Sequence, residues 1–261
     1  MKTKIIVCGC FGRMGQVVCK LAAESAGMEV VAGVDILTTH SGLEGLTFPT
    51  YADVSQVSTP ADAIIDFMPP TAVSDTLALL KYSVSRSIPA VICTTGLPPQ
   101  VEDAIAEASK KVAVLQSPNM SLGVNLLSNM LTRAAKLLYD ANFDIEIVEK
   151  HHNQKLDSPS GTAIMLADTV NEALGGRMRT VHDRSQTRAK RDRDEIGVFA
   201  LRGGSIVGEH SVVFAGMDEV IEFTHIAQSR DAFAVGALKA ARFLGGKPPG
   251  LYSMQDLING V

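Results

Sequence analysis

The feature that most constrains this chain is a glycine-punctuated turn near its start, Gly9-Cys10-Phe11-Gly12-Arg13-Met14-Gly15. A short apolar run rich in β-branched residues (4–8) precedes it. Apolar residues at helical spacing follow it: Met14, Val17, Val18, Leu21 and Ala22. Glycines between a first strand and a first helix permit a tight turn and a close approach of backbone to a pyrophosphate. The helix start behind them offers N–H groups and the positive end of a dipole. The spacing is GxxGxxG, which a plain strand–helix turn could also show. Its position argues for more: a second strand over 29–34 ends at Asp35, 20 residues past Gly15, where an acid that binds ribose hydroxyls is expected.

The rest of the first half repeats the alternation. Strands are predicted over 63–67, 90–93 and 112–116, and helices over 71–82 and 99–110. That order implies a mostly parallel sheet with helices on both faces, an α/β unit. The character changes near Ser117. A long helix is expected over 122–139, a strand over 144–148, a polar segment over 151–160 and a helix over 162–174. A charged stretch over 178–195 reads as a loop. From 196 to 227 strands alternate with glycine turns, which suggests an open, antiparallel-rich sheet in an α+β unit. Helices over 232–244 and 253–258 close the chain, and the glycine- and proline-rich 245–250 reads as the break between them.

Length and charge narrow the partners. A chain of 261 residues suits one large domain or two small ones. Its 24 Lys and Arg against 28 Asp and Glu argue against a dedicated nucleic-acid binder. The arginine-rich stretch 177–195 is interleaved with acids and lacks aromatics, so it reads as a solvated loop. No apolar run is long enough for a transmembrane helix, and no membrane partner is expected. Cys8, Cys10, Cys19 and Cys93 lack zinc-site spacing and read as free thiols, consistent with a cytoplasmic protein.

The second chemical cluster is Glu149-Lys150-His151-His152-Asn153-Gln154-Lys155-Leu156-Asp157-Ser158-Pro159-Ser160-Gly161-Thr162. His151 suits proton transfer near neutral pH. Lys155 can pair with a carboxylate or donate a proton. Ser160-Gly161-Thr162 leads into a helix and forms a candidate anion seat. Other readings stay open: the histidines as surface residues of a loop, and Ser160 as a helix cap. A metal site is not expected, because His151 and His152 are neighbours rather than spaced i, i+4, and no Cys lies close by. At the other cluster, a carboxylate at Asp35 accepts from the 2′ and 3′ hydroxyls of NAD and repels a 2′-phosphate. Ile36, Leu37, Thr38 and Thr39 bring no cation, although Arg13 could compensate in part. NADH is therefore favoured, with NADPH open.

Together these segments resemble the 4-hydroxy-tetrahydrodipicolinate reductase (dihydrodipicolinate reductase) family of lysine and diaminopimelate biosynthesis. The resemblance spans nearly the whole chain. It rests on Gly9-x-x-Gly12-Arg13-Met14-Gly15, Thr94-Thr95-Gly96 and Asn119-x-Ser121-x-Gly123-Val124-Asn125. It rests further on Arg202-x-Gly204-x-Ile206-x-Gly208-x-His210, and most of all on Glu149-x-His151-His152-x-x-Lys155-x-Asp157-x-Pro159-Ser160-Gly161-Thr162-Ala163.

The resemblance implies a Rossmann-like dinucleotide domain over 1–121 and 231–261, and a substrate-binding and oligomerisation domain over 122–230 built on an open mixed sheet. It implies a homotetramer assembled through those sheets. The implied reaction delivers hydride from a nicotinamide to a conjugated cyclic imine carrying two carboxylates, with a proton added at the neighbouring carbon. His151 matches the family's acid/base position and Lys155 its second proton donor. His152, Gly161 and Thr162 match contacts to the substrate carboxylates. Gly9, Cys10, Phe11, Gly12, Arg13, Met14, Asp35, Cys93, Thr94, Thr95, Ser117, Pro118, Asn119 and Met120 match the cofactor site. Cys93 stands where the family often has glycine. Ile36 stands where a basic residue is common, as do Asn153 and Gln154.

Overall fold

A computed structural model describes residues 2–36 and 48–260. Of the residues read as following the ribose acid, Leu37, Thr38 and Thr39 lie outside the described residues. The chain opens with β1 (Thr3–Cys8), α1 (Arg13–Glu24), β2 (Met28–Val34) and β3 (Thr50–Tyr51). A single 3-10 turn, Val54–Gln56, leads to β4 (Ala63–Asp66), α2 (Val73–Arg86), β5 (Ala90–Ile92), α3 (Pro99–Ser109) and β6 (Ala113–Gln116). Next come α4 (Leu122–Asp140), β7 (Asp144–His151), α5 (Gly161–Ala173), β8 (Arg179–Val181), β9 (Glu195–Arg202), β10 (Gly208–Ala215) and β11 (Val220–Ala227). The chain ends with α6 (Asp231–Phe243), β12 (Gly250–Tyr252) and α7 (Met254–Asn259). Two units result: Met1–Leu122 with Arg230–Val261, and Gly123–Ser229.

The first unit is a seven-stranded sheet in the order β12-β6-β5-β4-β1-β2-β3, with every pairing parallel. Alternation along β1 explains why both faces are covered. Ile5 and Val7 enter one core with Val18 of α1 and Ala237 of α6, while Ile6 and Cys8 enter the other with Leu79 of α2 and Ile105 of α3. Strand order reverses at β1, which sets the turn after it at the topological switch point where doubly wound sheets bind ligands.

The second unit is a five-stranded mixed sheet in the order β11-β10-β7-β9-β8. β10 is antiparallel to β7 and to β11, while β9 is parallel to β7 and to β8. This corrects the antiparallel-rich expectation: half of its four pairings are parallel. One face packs against α4 and α5 through Leu131, Ile145, Ile147, Leu166, Val170 and Val212. The buried face of β7 starts with Ile145 and Ile147 and continues with Glu149 and His151. That of β10 runs Phe214, Val212, His210, Gly208. The period of two thus carries an apolar core directly into a polar cluster at one end of the sheet.

Several expected boundaries are corrected. The strand predicted over 144–148 runs on to His151, because Glu149 and His151 share the buried face and find partners there. α2 starts at Val73 and continues to Arg86, ending at Ser87, whose left-handed conformation (φ 54°) lets its N–H meet the Ser83 and Val84 carbonyls. β12 is not expected from the sequence: Gly250 falls in the expected break and Leu251 and Tyr252 carry no strand pattern, yet Leu251 pairs with Val114 at the sheet edge. The stretch 178–195 is not simply a solvated loop. It contains β8, and Arg191 binds Glu146 and Asp144 at 2.7 and 2.9 Å and the Ile145 carbonyl at 2.9 Å. Tyr139 lies between the Arg177 and Arg193 guanidiniums, 4.3 and 4.6 Å from its ring centre. Interleaved charges that look solvated in sequence are here paired across the unit.

Candidate active site

In the first unit the turn after β1 is built on backbone contacts that a side chain would block. Gly9 has φ +74°, and a Cβ there would lie 2.8 Å from the Phe67 carbonyl carbon. A Cβ on Gly15 would lie 2.7 Å from the Cys10 Cα. Cys10 and Phe11 point into the core, whereas Gly12 and Arg13 are exposed. No side chain caps α1 and no acid occupies its first turn, an arrangement that suits an anion at the helix start. The Asp35 carboxylate, 24 residues from Phe11, accepts the Phe11 N–H at 2.9 Å. These residues fit a dinucleotide: a cradle without side chains for the pyrophosphate, and a carboxylate beside it for a ribose.

Further along the carboxyl edge of the same sheet, Thr94, Thr95, Ser117 and Pro118 line a cleft of about 600 Å³ beyond β5, β6 and β12. Asn119 and Met120 do not line it: the Asn119 side chain accepts the Ser121 N–H at 2.8 Å, and Met120 packs in the core. Gly236 of α6 supports this turn, because a Cβ there would overlap the Met120 carbonyl. The Cys93 side chain is buried, and burial, aided by Asp66, pushes its thiol up.

Asp66 was not singled out from sequence. It ends β4 with no exposed surface, and burial pushes its carboxyl up to about 7 against the bonds it accepts. Its Oδ1 accepts the Met68 N–H at 2.8 Å, and its Oδ2 lies 3.1 Å from the Thr94 hydroxyl. That hydroxyl has one proton, and the Met68 carbonyl at 2.7 Å can only accept. The Asp66–Thr94 bond is therefore complete when Asp66 itself carries a proton.

In the second unit the polar end of the covered sheet face brings together residues remote in sequence. Glu149 is wholly buried and accepts four hydrogen bonds from three groups. His151 Nδ1 lies 2.6 Å from Oε2, the Ser160 N–H reaches Oε1 at 2.9 Å, and the Arg202 guanidinium binds both oxygens at 2.8 and 2.7 Å. Burial pushes Glu149 up, but the bonds from Arg202, His151 and Ser160 outweigh it and hold the carboxyl below its usual range. An ionised Glu149 can only accept, so the proton of a neutral His151 sits on Nδ1 and its Nε2 is bare. A Cβ on Gly208 would stand 3.1 Å from that Nε2, so glycine keeps this side of the ring open.

Burial lowers the His151 pKa, Glu149 partly offsets it, and Lys155 and Arg202 lower it further. The ring of His210 meets His151 edge-on at 5.1 Å, and His210 Nε2 lies 2.9 Å from the Ser160 hydroxyl. Burial takes His210 down to about 4, so it stays neutral, and its Nδ1 has no partner among the described residues. Ser160 does cap α5, accepting the Ala163 N–H at 3.2 Å. Gly161, at the start of α5, is exposed with open space where a Cβ would be. Lys155 lies on the turn after β7, paired with Asp157 at 2.8 Å. His152 is half-buried on the same turn, its carbonyl accepting the Lys155 N–H at 3.2 Å. The sequence reading missed the joining roles of Glu149 and Arg202. The signal available was that both belong to the quoted motifs.

Among the described residues no helix is long and apolar enough to cross a membrane, and no group of three or more His, Cys, Asp or Glu could hold a metal ion. Comparison with known proteins gives consistent matches. The family model for the dihydrodipicolinate reductase N-terminus matches residues 3–120, and that for its C-terminus residues 123–258. A 4-hydroxy-tetrahydrodipicolinate reductase from Caldanaerobacter subterraneus subsp. tengcongensis is 49% identical, covering 99% of both chains. One from Aquifex aeolicus is 43% identical over 99% of both. Among solved structures, a dipicolinate-bound dihydrodipicolinate reductase from Paenisporosarcina sp. TG-14 shares the fold at TM-score 0.76 and 22% identity, covering 97% of this chain and 98% of that one.

Proposed function

Because the chain belongs to the dihydrodipicolinate reductase family, we propose a residue-by-residue account of how it performs that family's reaction. The enzyme is an oxidoreductase that reduces 4-hydroxy-tetrahydrodipicolinate in lysine and diaminopimelate biosynthesis. A bound NAD(P)H supplies the hydride. Gly9, Gly12 and the start of α1 hold the pyrophosphate, with Cys10, Phe11, Arg13 and Met14 completing the turn. Asp35 holds the ribose. Cys93, Thr94, Thr95, Ser117, Pro118, Asn119 and Met120 hold the nicotinamide end through backbone groups.

His151 supplies the proton that follows the hydride, and Lys155 is the second donor. Lys155 also offsets the negative charge that develops in the ring. His152, Gly161 and Thr162 bind the substrate carboxylates. The observation that carries this reading is His151, its Nδ1 fixed by a buried carboxylate, adjoining the start of α5. Burial favours the neutral form of His151 in the absence of substrate. A substrate with two carboxylates brings the charge that favours its protonation. The dipicolinate seen in the Paenisporosarcina relative is a dicarboxylate of this kind.

The preferred cofactor is NADH. The space beside Asp35 is also bordered by Asp53 and Asp75, and among the described residues neither Lys nor Arg is in its walls. A 2′-phosphate there would meet those carboxylates, with Arg13 of the turn as a partial offset at most. We expect kcat/KM to favour NADH over NADPH, and Asp35→Ala to narrow that ratio by about 10-fold or more, mainly through weaker use of NADH. An NADPH preference in the unaltered enzyme would overturn this assignment. The same reading makes the enzyme a cytoplasmic homotetramer. Its support is a set of unpaired cysteines and a β11 whose Val220 and Ile226 are exposed on the five-stranded sheet.

A further inference from the structure

We propose that the buried Glu149–Arg202 ion pair is the positioning element of this reaction: it fixes which nitrogen of His151 carries the transferable proton, and it ties that ring to the turns bearing Lys155 and Ser160. The inference rests on the reading of His151 as proton donor.

The geometry is specific. Arg202, the last residue of β9, lies opposite His151 in the parallel register with β7. Its guanidinium grips both oxygens of Glu149. One of its nitrogens also donates to the Asp157 carbonyl at 2.7 Å. The Asp157 side chain in turn holds Lys155. Through its Oε1, Glu149 holds the Ser160 amide at the start of α5, and through Oε2 the His151 ring. One ion pair therefore joins the ring, the lysine turn and the anion seat.

The pair also fits the electrostatics. A lone buried carboxylate against Nδ1 would hold His151 in its charged form and make it a poor acid. Arg202 takes up most of that charge, so Glu149 orients the ring without trapping the proton. The groups facing His151 are Glu149 on β7, Arg202 on β9, His210 on β10 and Lys155 on the following turn. His225, on β11, faces His210 from the far side. Neither of these two histidines adds charge near neutral pH, because burial lowers both. The balance is therefore set by Glu149, Arg202 and Lys155.

Two substitutions push this balance in opposite directions. Glu149→Gln removes the negative charge, so the titration midpoint of His151 falls. Arg202→Met leaves the Glu149 charge facing His151 with only the Ser160 amide to share it, so the midpoint rises, each by about one pH unit. Arg202→Lys restores charge but not the two-pronged grip, and returns the midpoint toward that of the unaltered enzyme. Glu149→Gln also lowers kcat by about tenfold or more, with a smaller change in the KM for NADH.

The experiment is an NMR titration of the histidine rings in the full chain, run beside the pH profile of kcat/KM. The unaltered enzyme should show neutral His151 as the Nδ1–H tautomer. That measurement decides the matter even where a variant fails to fold. An Nε2–H tautomer, or midpoints that move together or not at all, would overturn the inference. Opposite midpoint shifts that the pH profile does not follow would uphold the pair's effect on His151 and sink His151 as the proton donor.

Discussion

Replacing His151 by glutamine should lower turnover by about 10²–10⁴ while leaving the affinity for dinucleotide nearly unchanged. Glutamine cannot release a proton at neutral pH, so the electron pair left after hydride addition has no positioned donor. The fold should tolerate the change. Glu149 keeps its bonds from Arg202 and from the Ser160 amide, so no buried charge is left unpaired. The turn after β1 and Asp35, to which the proposed reading assigns dinucleotide binding, belong to the other unit. Single-turnover kinetics with a separate binding titration would show the split. A turnover within about threefold of the unaltered enzyme would remove His151 from the proton step.

Asp66→Asn should make stability less sensitive to pH. The folded-state pKa of Asp66 is raised by burial from 3.8 to about 7. A raised carboxyl favours the folded state only while protonated. Its contribution is complete below about pH 4 and is lost as pH rises toward about 7. A shift of that size corresponds to roughly 4 kcal/mol at most.

Asparagine mimics the protonated acid. Its oxygen accepts the Met68 N–H, and its amide donates to Thr94, whose proton stays on the Met68 carbonyl. The variant should therefore gain on the unaltered protein as pH rises from 4 to 7. Paired calorimetric or denaturant unfolding curves at several pH values would cancel the groups that both proteins share. A difference that stays constant with pH would show that Asp66 is not protonated in the folded state.

The sequence was most legible where one local period or one short motif carries the information. The run ending at Cys8, the glycines after it and the 3.6-residue pattern of α1 announce a strand, a turn and a helix directly. His151, Lys155 and Ser160 stood out because their residue types suit proton transfer and anion binding. What escaped depends on partners remote in the chain. Glu149 stands in the motif without a role until Arg202, 53 residues later, is seen to close on it. Asp66 reads as the end of a strand until Thr94, 28 residues on, supplies its bond. β12 has only three residues and exists because β6 offers it an edge. Residues 178–195 were misread because charge alternation looks the same whether its partners are water or carboxylates.

The most direct test of the account is the oxidation of reduced nicotinamide, followed by absorbance, with substrate generated in place from pyruvate and aspartate semialdehyde by the upstream synthase. NADH and NADPH would be run in parallel. The account predicts oxidation that requires both the synthase and this enzyme, faster with NADH at low cofactor concentration. Folded protein that binds nucleotide yet oxidises neither cofactor would contradict it.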